Sequence, residues 1–362
     1  MVRKIFSFFL VIFIFLSSGA QNLSNTDLSH MQKPSVRKEI QMPDIPGYKT
    51  LKCDFHMHTV FSDGLVWPAV RVNEAWEEGL DAIAITDHIE HLPFREYLKG
   101  DHNASFNIAK PLADQKDIIL IRAGEITRSM PPGHLNGLFL KDVNTLDTPE
   151  PEAAIRAVAD QGGFIFWNHP GWKAQQPDTC VWMEMHQKLY EEGLIHGIEV
   201  FNSSEWYPLA VDWCMEKDLA VMGNSDVHGV IAHFYDVETG HRPMTLVFAK
   251  DRSEESIKEA MFARRTVAWF DDKMVGTENL LKEILTASVK MTDTGRSNNR
   301  GKVFKVKNSA DIPFFLSDDG GFEYVIPALA ETYLTIPGDI SGVQVANMFV
   351  GTGKLLGIDI PF

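Results

Sequence analysis

From about residue 48 to 270, short apolar runs alternate with amphipathic stretches, a rhythm that predicts β-strands alternating with α-helices. Strands are expected at Leu51–Met57, Asp81–Thr86, Ile118–Gly124, Leu135–Leu140, Phe164–Trp167, Gly197–Phe201, Ala220–Gly223, Thr245–Ala249 and Thr266–Trp269. Helices are expected at Trp67–Glu78, Glu150–Asp160, Val181–Glu192, Pro208–Lys217 and Glu254–Ala263. In the first, Ala69, Val70, Val72, Ala75 and Trp76 recur at helical spacing. Thr148-Pro149 opens the second and Gly162-Gly163 ends it. A β-then-α order predicts a mostly parallel sheet in an α/β fold. Closed into a barrel, such a sheet gathers its loops over one rim. No Gly-x-Gly-x-x-Gly loop supports the open, dinucleotide-binding alternative.

The rhythm breaks near residue 275. Leu280–Phe362 offers no helical stretch but shows alternation at Val303-Phe304-Lys305-Val306-Lys307, and turn signals at Asp318-Asp319-Gly320-Gly321 and Pro337-Gly338-Asp339. A small all-β sandwich is expected over 276–362. At the other end, Arg3 and Lys4 precede an apolar run from Ile5 to Leu16, and Ser18-Gly19-Ala20 supplies small residues. This predicts a signal peptide over 1–20 and an exported protein, periplasmic or extracellular. The run is shorter than the roughly 20 residues a membrane-spanning helix needs, so no span is expected in the mature protein. Polar residues with scattered prolines over 21–46 read as a flexible leader, and 47–275 as the barrel.

Composition changes this picture little. The chain of 362 residues is 44% hydrophobic and 23% charged, as a globular protein is. A net charge of −15 argues against nucleic acid as a partner. Three cysteines without regular spacing do not make a disulfide framework, though one bridge has room to form. Cys53, on the first strand, reads as a small buried hydrophobe.

The chemistry lies at the ends of the predicted strands. His56-x-His58 puts two imidazoles on one face of an extended segment, and Asp63 follows closely. His88, Glu125, His134, His169, Asp226 and His228 each end or follow an apolar run. Neutral imidazoles and carboxylates suit divalent Zn, Mn or Fe. Nine such side chains exceed the needs of one tetrahedral ion and fit two or three ions sharing a bridging carboxylate. Such clusters activate water and stabilise charge on attacking and leaving oxygens.

The ordered motifs Asp-Phe-His-Met-His-Thr with Phe-Ser-Asp-Gly, Ala-Ile-Thr-Asp-His, Ala-Gly-Glu-Ile, Gly-His-Leu, Trp-Asn-His-Pro, Ile-Glu-Val-Phe-Asn and Gly-Asn-Ser-Asp-Val-His-Gly resemble the PHP family, named for its polymerase and histidinol phosphatase members. The resemblance covers about residues 50–270. It implies a distorted, TIM-like (β/α)7 barrel with a trinuclear metal site and phosphoesterase activity. It implies one ion on His56, His58, Glu125 and Asp226, a second on Glu125, His134 and His169, and a third on Asp63, His88 and His228. Asp63 stands where some members carry His, which biases that position toward Mn, Mg or Fe. A metal-bridging hydroxide would be the nucleophile, with His56, His58, Glu125 and Asp226 as the catalytic core.

A small phosphorylated substrate also calls for cations, and Arg128, Arg242 and Arg265 are the candidates. Trp167, Trp172, Trp182, Trp206 and Trp213 offer an aromatic wall, with the core as their ordinary place. Asp87 is expected to orient a ligand rather than bind metal. Asn168 and Asn202 either line the site or close turns, and most of the remaining histidines read as surface residues. Two rivals share the sequence. One is a metal-dependent hydrolase of carboxylic or carbamic esters or amides. The other is a non-catalytic glycan- or surface-binding protein working through its C-terminal region.

Overall fold

The computed structural model describes residues 27–32, 34–318 and 320–362. The expected signal peptide, and the start of the leader, lie outside the described residues. The described residues fall into two units, the first ending at Val36 and the second Arg37–Phe362. The described part of the first holds a single 3-10 turn, Ser29–Met31. Among the described residues no helix is long and apolar enough to cross a membrane.

Arg37–Phe362 carries everything else. Its first strands are β1 (Lys49–Asp54), β2 (Ala82–Ile85), β3 (Ile119–Thr127), β4 (His134–Leu138), β5 (Phe164–Trp167), β6 (Gly197–Asn202), β7 (Glu205–Trp206), β8 (Ala220–Asn224), β9 (Met244–Ala249), β10 (Thr266–Phe270) and β11 (Lys273–Val275). Between them run α1 (Pro68–Glu77), α2 (Ala104–Gln115), α3 (Pro151–Asp160), α4 (Glu184–Glu191), α5 (Pro208–Lys217) and α6 (Glu254–Phe262). The central sheet has the order β11-β10-β9-β1-β2-β3-β4-β5-β6, and β8 pairs with the far side of β6. Thr245 of β9 ties back to β8, its Oγ1 donating to the Gly223 carbonyl at 2.9 Å.

The pairing is parallel for β1-β2, β2-β3, β5-β6 and β6-β8. It is antiparallel at β3-β4, β4-β5, β1-β9 and β9-β10. At β4 the departure from the mostly parallel expectation has a steric reason. Residues 128–133 are too few for a crossover, which takes roughly a dozen residues or more, so β4 must return beside β3. Its first residue, His134, then lies opposite Thr127, the last residue of β3. A strand start thus reaches the end of the sheet where the other strands finish.

Helix α2 lies in a stretch where no helix is expected, since Pro111 interrupts its interior and removes a donor. It is held by apolar packing of Ala109 and Ala113 in the largest core cluster. Residues 37–46 are not a flexible leader: Ile40, Met42 and Ile45 are buried in that same cluster.

Residues 276–362 differ from the expected all-β region in two ways. They open with helix α7 (Glu278–Ser288), whose Thr277 side chain caps the amide of Leu280. The strands that follow are β12 (Val289–Asn298), β13 (Gly301–Asn308), β14 (Phe314–Ser317), β15 (Glu323–Ile326), β16 (Glu331–Ile336), β17 (Gly342–Gly351) and β18 (Lys354–Asp359). β12, β13 and β16 form a separate three-stranded sheet. The others extend the central sheet, because β17 pairs in parallel with β11. Phe304, Phe314, Val345 and Met348 share one apolar cluster with Val72, Leu246 and Trp269.

Candidate metal centre

One end of the central sheet gathers the chemistry. His56 and His58 follow β1 in an extended segment pinned to the loop after β8: His58 N–H donates to Val227 C=O at 3.0 Å and Asp226 N–H to His56 C=O at 2.8 Å. Arg71 of α1, fully buried, ties the same two loops together. Its Nε donates to His58 C=O and its Nη2 to Val227 C=O, both at 2.9 Å. His88 follows β2, Glu125 sits within β3, His134 opens β4, and His169 follows β5. His169 and Asp226 hold φ of 28° and 50°, sparsely populated values for side-chain-bearing residues, of the kind that cluster at functional sites.

All nine predicted side chains come together. His56 Nε2 and His58 Nε2 lie 3.1 and 3.0 Å from Asp226 Oδ1, and 3.5 and 3.4 Å from Glu125 Oε2. Glu125 Oε1 faces His134 Nδ1 at 3.0 Å and His169 Nε2 at 3.8 Å. Asp63 Oδ1 faces His228 Nε2 at 3.3 Å, His88 Nε2 at 3.5 Å and His58 Nδ1 at 3.9 Å. Ligand atoms about 2.0–2.1 Å from a tetrahedral ion stand roughly 3.3 Å from one another. Most of these separations are therefore coordination-polyhedron edges as readily as hydrogen bonds.

Among the described residues three clusters could hold an ion: His56, His58 and Glu125; His58, Asp63, His88 and His228; and His88, Glu125 and His134. The first follows the expected grouping without Asp226, and the second follows it with His58 added. In the third, His88 Nδ1, at 2.8 Å from Glu125 Oε2, stands nearer that carboxylate than His169 does. The fit to metal rests on two atoms. His56 Nε2 and Glu125 Oε2 are buried and make no well-formed hydrogen bond, although Asp226 Oδ1 stands 3.1 Å from the first and His88 Nδ1 2.8 Å from the second. Unpaired buried polar atoms are costly and rare in native proteins. A bound cation satisfies both.

Groups around the cluster fix its protonation. Glu199, fully buried on β6, accepts from His56 Nδ1 at 2.9 Å, so the ring's Nε2 lone pair points into the cluster. The same carboxylate accepts from the His169 amide at 2.8 Å, Asn202 Nδ2 at 2.8 Å and Asn224 Nδ2 at 2.9 Å. His228 Nδ1–H donates to the Asp226 carbonyl at 2.8 Å, which leaves its Nε2 free toward Asp63. Burial disfavours a charged His56, but Asp226, Glu199 and Glu125 outweigh it and push its pKa well up. Burial is likewise outweighed at His88, where Glu125 and Asp63 push it to about 10. His58 falls to about 3, from burial and then the neighbouring His88 charge. Glu125 and Asp226, despite burial, are held well below the usual carboxylate range by the imidazoles around them. Without metal, protons on imidazoles balance the carboxylates. Metal binding displaces such protons.

The expected substrate cations do not reach this cavity. Arg242 is fully buried against Asp54 at 3.0 Å and Glu78 at 2.9 Å. Asp54 in turn accepts from the Ser225 and His56 amides, so Arg242 supports the site's backbone from beneath. Arg128 pairs with Glu90 at 2.7 Å and donates to Pro149 C=O at 2.9 Å. Arg265 precedes β10 at the other end of the sheet, donating to Phe248 C=O at 3.0 Å and stacking on Tyr48.

The Asp87 carboxylate is spent on the loop of Thr59 and Ser62 rather than on the His88 ring. It fixes the loop after His58, accepting from the Thr59 amide at 2.6 Å and Ser62 Oγ at 2.9 Å. Asn168 donates to Glu125 Oε1 at 2.9 Å, and Asn202 to Asp226 Oδ2 at 3.2 Å, so both serve the site. Of the five tryptophans, only Trp172 lines the cavity; Trp167 is buried and stacked on His186. His186 and His241 are not surface residues, since each donates or accepts inside the fold. His91 Nε2 stands 3.8 Å from Asp63 Oδ2 at the cluster's rim. All three cysteines are free, and Cys53 is buried. Arg71 escaped the sequence reading, and Glu199, though within the Ile-Glu-Val-Phe-Asn motif, was given no role there. A lone carboxylate in the apolar run Gly197–Asn202 was the available signal for Glu199.

No protein-family model matches the chain. Among solved structures it is similar to a two-domain protein from Bacteroides vulgatus containing a predicted PHP-like metal-dependent phosphoesterase. The two are 42% identical, over 91% of this chain and 99% of that one, with a TM-score of 0.86. Two uncharacterized proteins of Methanocaldococcus jannaschii are also similar. One is 39% identical over 82 residues, 23% of this chain and 36% of that protein, so the chain spans only about a third of it. The other is 25% identical over 167 residues, 42% of this chain and 82% of that protein. With 42% identity along nearly the whole of both chains, and the histidines and carboxylates of the ordered motifs gathered at one end of the sheet, the chain belongs to the PHP family.

Proposed function

We propose that the protein is a metal-dependent phosphoesterase that cleaves small phosphate esters with two or three divalent ions. The carrying observation is the convergence of buried imidazoles and carboxylates on His56 Nε2 and Glu125 Oε2, two atoms that make no well-formed hydrogen bond among them. In this reading His56, His58, Glu125 and Asp226 hold one ion, Glu125, His134 and His169 a second, and Asp63, His88 and His228 a third. Bound Zn, Mn or Fe would polarise the phosphoryl oxygens and acidify a water for attack at phosphorus.

The chain's own part is positional. Glu125 turns Oε1 toward His134 and His169 and Oε2 toward His56 and His58, the posture of a bridging carboxylate. Glu199 keeps the His56 ring in the ligating tautomer. Burial of His56, His58 and Glu125 keeps bulk water from the cluster floor.

The test is hydrolysis by the purified chain of p-nitrophenyl phosphate, bis-p-nitrophenyl phosphate and p-nitrophenyl acetate, each with added Mn, Zn or Fe. His56→Ala is the control. Metal-dependent cleavage of either phosphate ester, lost in His56→Ala, supports the reading and separates monoester from diester. One observation favours the carbon-centred rival. Among the described residues no Lys or Arg lines the cavity. Cleavage of the acetate alone, insensitive to inorganic phosphate, would establish that rival.

A further inference from the structure

Resting on the phosphoesterase reading, we infer that the cavity selects a hydroxyl-rich leaving group without a second anionic charge, a sugar or polyol monophosphate, and that Glu205 is the residue that reads it. The cavity above the cluster measures about 420 Å³, near the small end of the roughly 300–1,000 Å³ typical of small-molecule sites. Beyond the cluster its walls are Asn202, Ser204, Glu205, Trp172, Phe234 and Tyr235. Trp172 stays 40% exposed although its ring lies 5.3 Å from that of His169. A flat, exposed ring beside the metal centre offers an apolar face to the C–H side of a sugar ring.

Glu205 is held in place before any ligand arrives. It begins β7, which pairs with β6 through Asn202↔Glu205 and Phe201↔Trp206, so Ser203 and Ser204 form a two-residue turn. Ser203 has a φ of 52°, and its amide donates to Asn224 C=O at 3.2 Å. Trp206, next in the strand, packs against Phe349 of β17 with ring centroids 4.6 Å apart. Tyr207 Oη donates to Glu205 Oε2. Among the described residues no Lys, Arg or His makes an ion pair with Glu205. A preorganised carboxylate with spare acceptor capacity binds neighbouring hydroxyls at low entropic cost.

The same charge excludes alternatives. Glu205 joins Asp63 and Asp226 in a cavity lined by no Lys or Arg. Metal ions neutralise one phosphoryl group, and nothing in the lining neutralises a second. Bisphosphates and nucleoside polyphosphates would face Glu205 uncompensated.

The test compares kcat/KM of the metal-loaded full chain for a hexose monophosphate, a hexose bisphosphate, an aminoalkyl phosphate and p-nitrophenyl phosphate. The hexose monophosphate should exceed the bisphosphate by about tenfold or more. Glu205→Gln should cut the hexose-over-aryl preference by about tenfold. A preference for the aminoalkyl ester or the bisphosphate overturns the inference, as does a ratio unchanged by Glu205→Gln. Failure to cleave any phosphate ester would refute the phosphoesterase reading instead. Calorimetric titration with the hexose monophosphate then decides: binding weakened in Glu205→Gln upholds the role of Glu205, and equal or absent binding overturns it.

Discussion

Glu199 grips His56 by the ring edge facing away from the cluster, with Oε1 2.9 Å from Nδ1. The contact sets which nitrogen carries the proton, and so which can bind metal. Glu199→Gln keeps the volume but offers an amide that can donate to Nδ1 and favour the wrong tautomer. Metal affinity should fall by about 10- to 100-fold. Competition with a chromophoric chelator measures it, and an unchanged affinity would reduce Glu199 to a packing role.

Removing the metal should silence hydrolysis and lower thermal stability together. An ion that binds only the folded chain stabilises it by about 2.7 kcal/mol at a concentration 100 times its dissociation constant. Calorimetry of chelator-treated protein, before and after adding Mn or Zn, reads the shift in Tm. A Tm indifferent to metal would contradict a cluster assembled around cations.

Gly64 lets the loop after His58 fold back on itself. A Cβ there would stand 2.6 Å from the His58 carbonyl carbon and the Thr59 nitrogen, both backbone atoms that cannot swing aside. Gly64→Ala should displace Asp63 and His58, neighbours of the modified backbone, more than it disturbs the sheet. The expected result is lost metal stoichiometry with far-ultraviolet circular dichroism retained.

Arg242→Met should damage stability. It strands Asp54 and Glu78 without their buried partner, at a cost of about 3–5 kcal/mol. Urea unfolding checks it. If Arg242 instead touched substrate, the variant would unfold normally and show only a raised KM.

His196 sets a pH limit on stability. Burial holds its pKa at about 4, against the ordinary 6.5, while its Nδ1 accepts from the Ile165 amide at 2.9 Å. As pH falls below 6.5 the unfolded chain takes up this proton first and the folded chain resists it, so the contribution is complete above 6.5 and is lost between 6.5 and about 4. At pH 5 the loss is about 2 kcal/mol. His196→Asn, which retains an acceptor for Ile165, should show a correspondingly smaller drop in urea-unfolding free energy between pH 7.5 and 5.

Much of this was legible in the sequence because metal ligands are chemically distinctive and fall where apolar runs end. All nine of His56, His58, Asp63, His88, Glu125, His134, His169, Asp226 and His228 meet in space. Guanidinium groups were not legible in this way. Arg71 inside α1 and Arg242 before β9 look like surface or ligand-binding residues in the chain, and only three-dimensional packing makes them buried struts. The direction of β4 follows from a short connection that periodicity does not weigh. Helix α2 was hidden by Pro111, and Ile40, Met42 and Ile45 by the prolines and polar residues around them.

The parallel pairing of β11 with β17 has a consequence for how the chain survives outside its folded state. Lys273–Val275 would otherwise leave the backbone of a hydrophobic sheet open along one margin, an invitation to pair with another molecule. β17 closes that margin with a strand from the same chain. The C-terminal region thus covers the margin at β11 and carries the sheet's edge outward to β15, and a chain cut at residue 275 should aggregate through the uncovered β11 before its chemistry is lost.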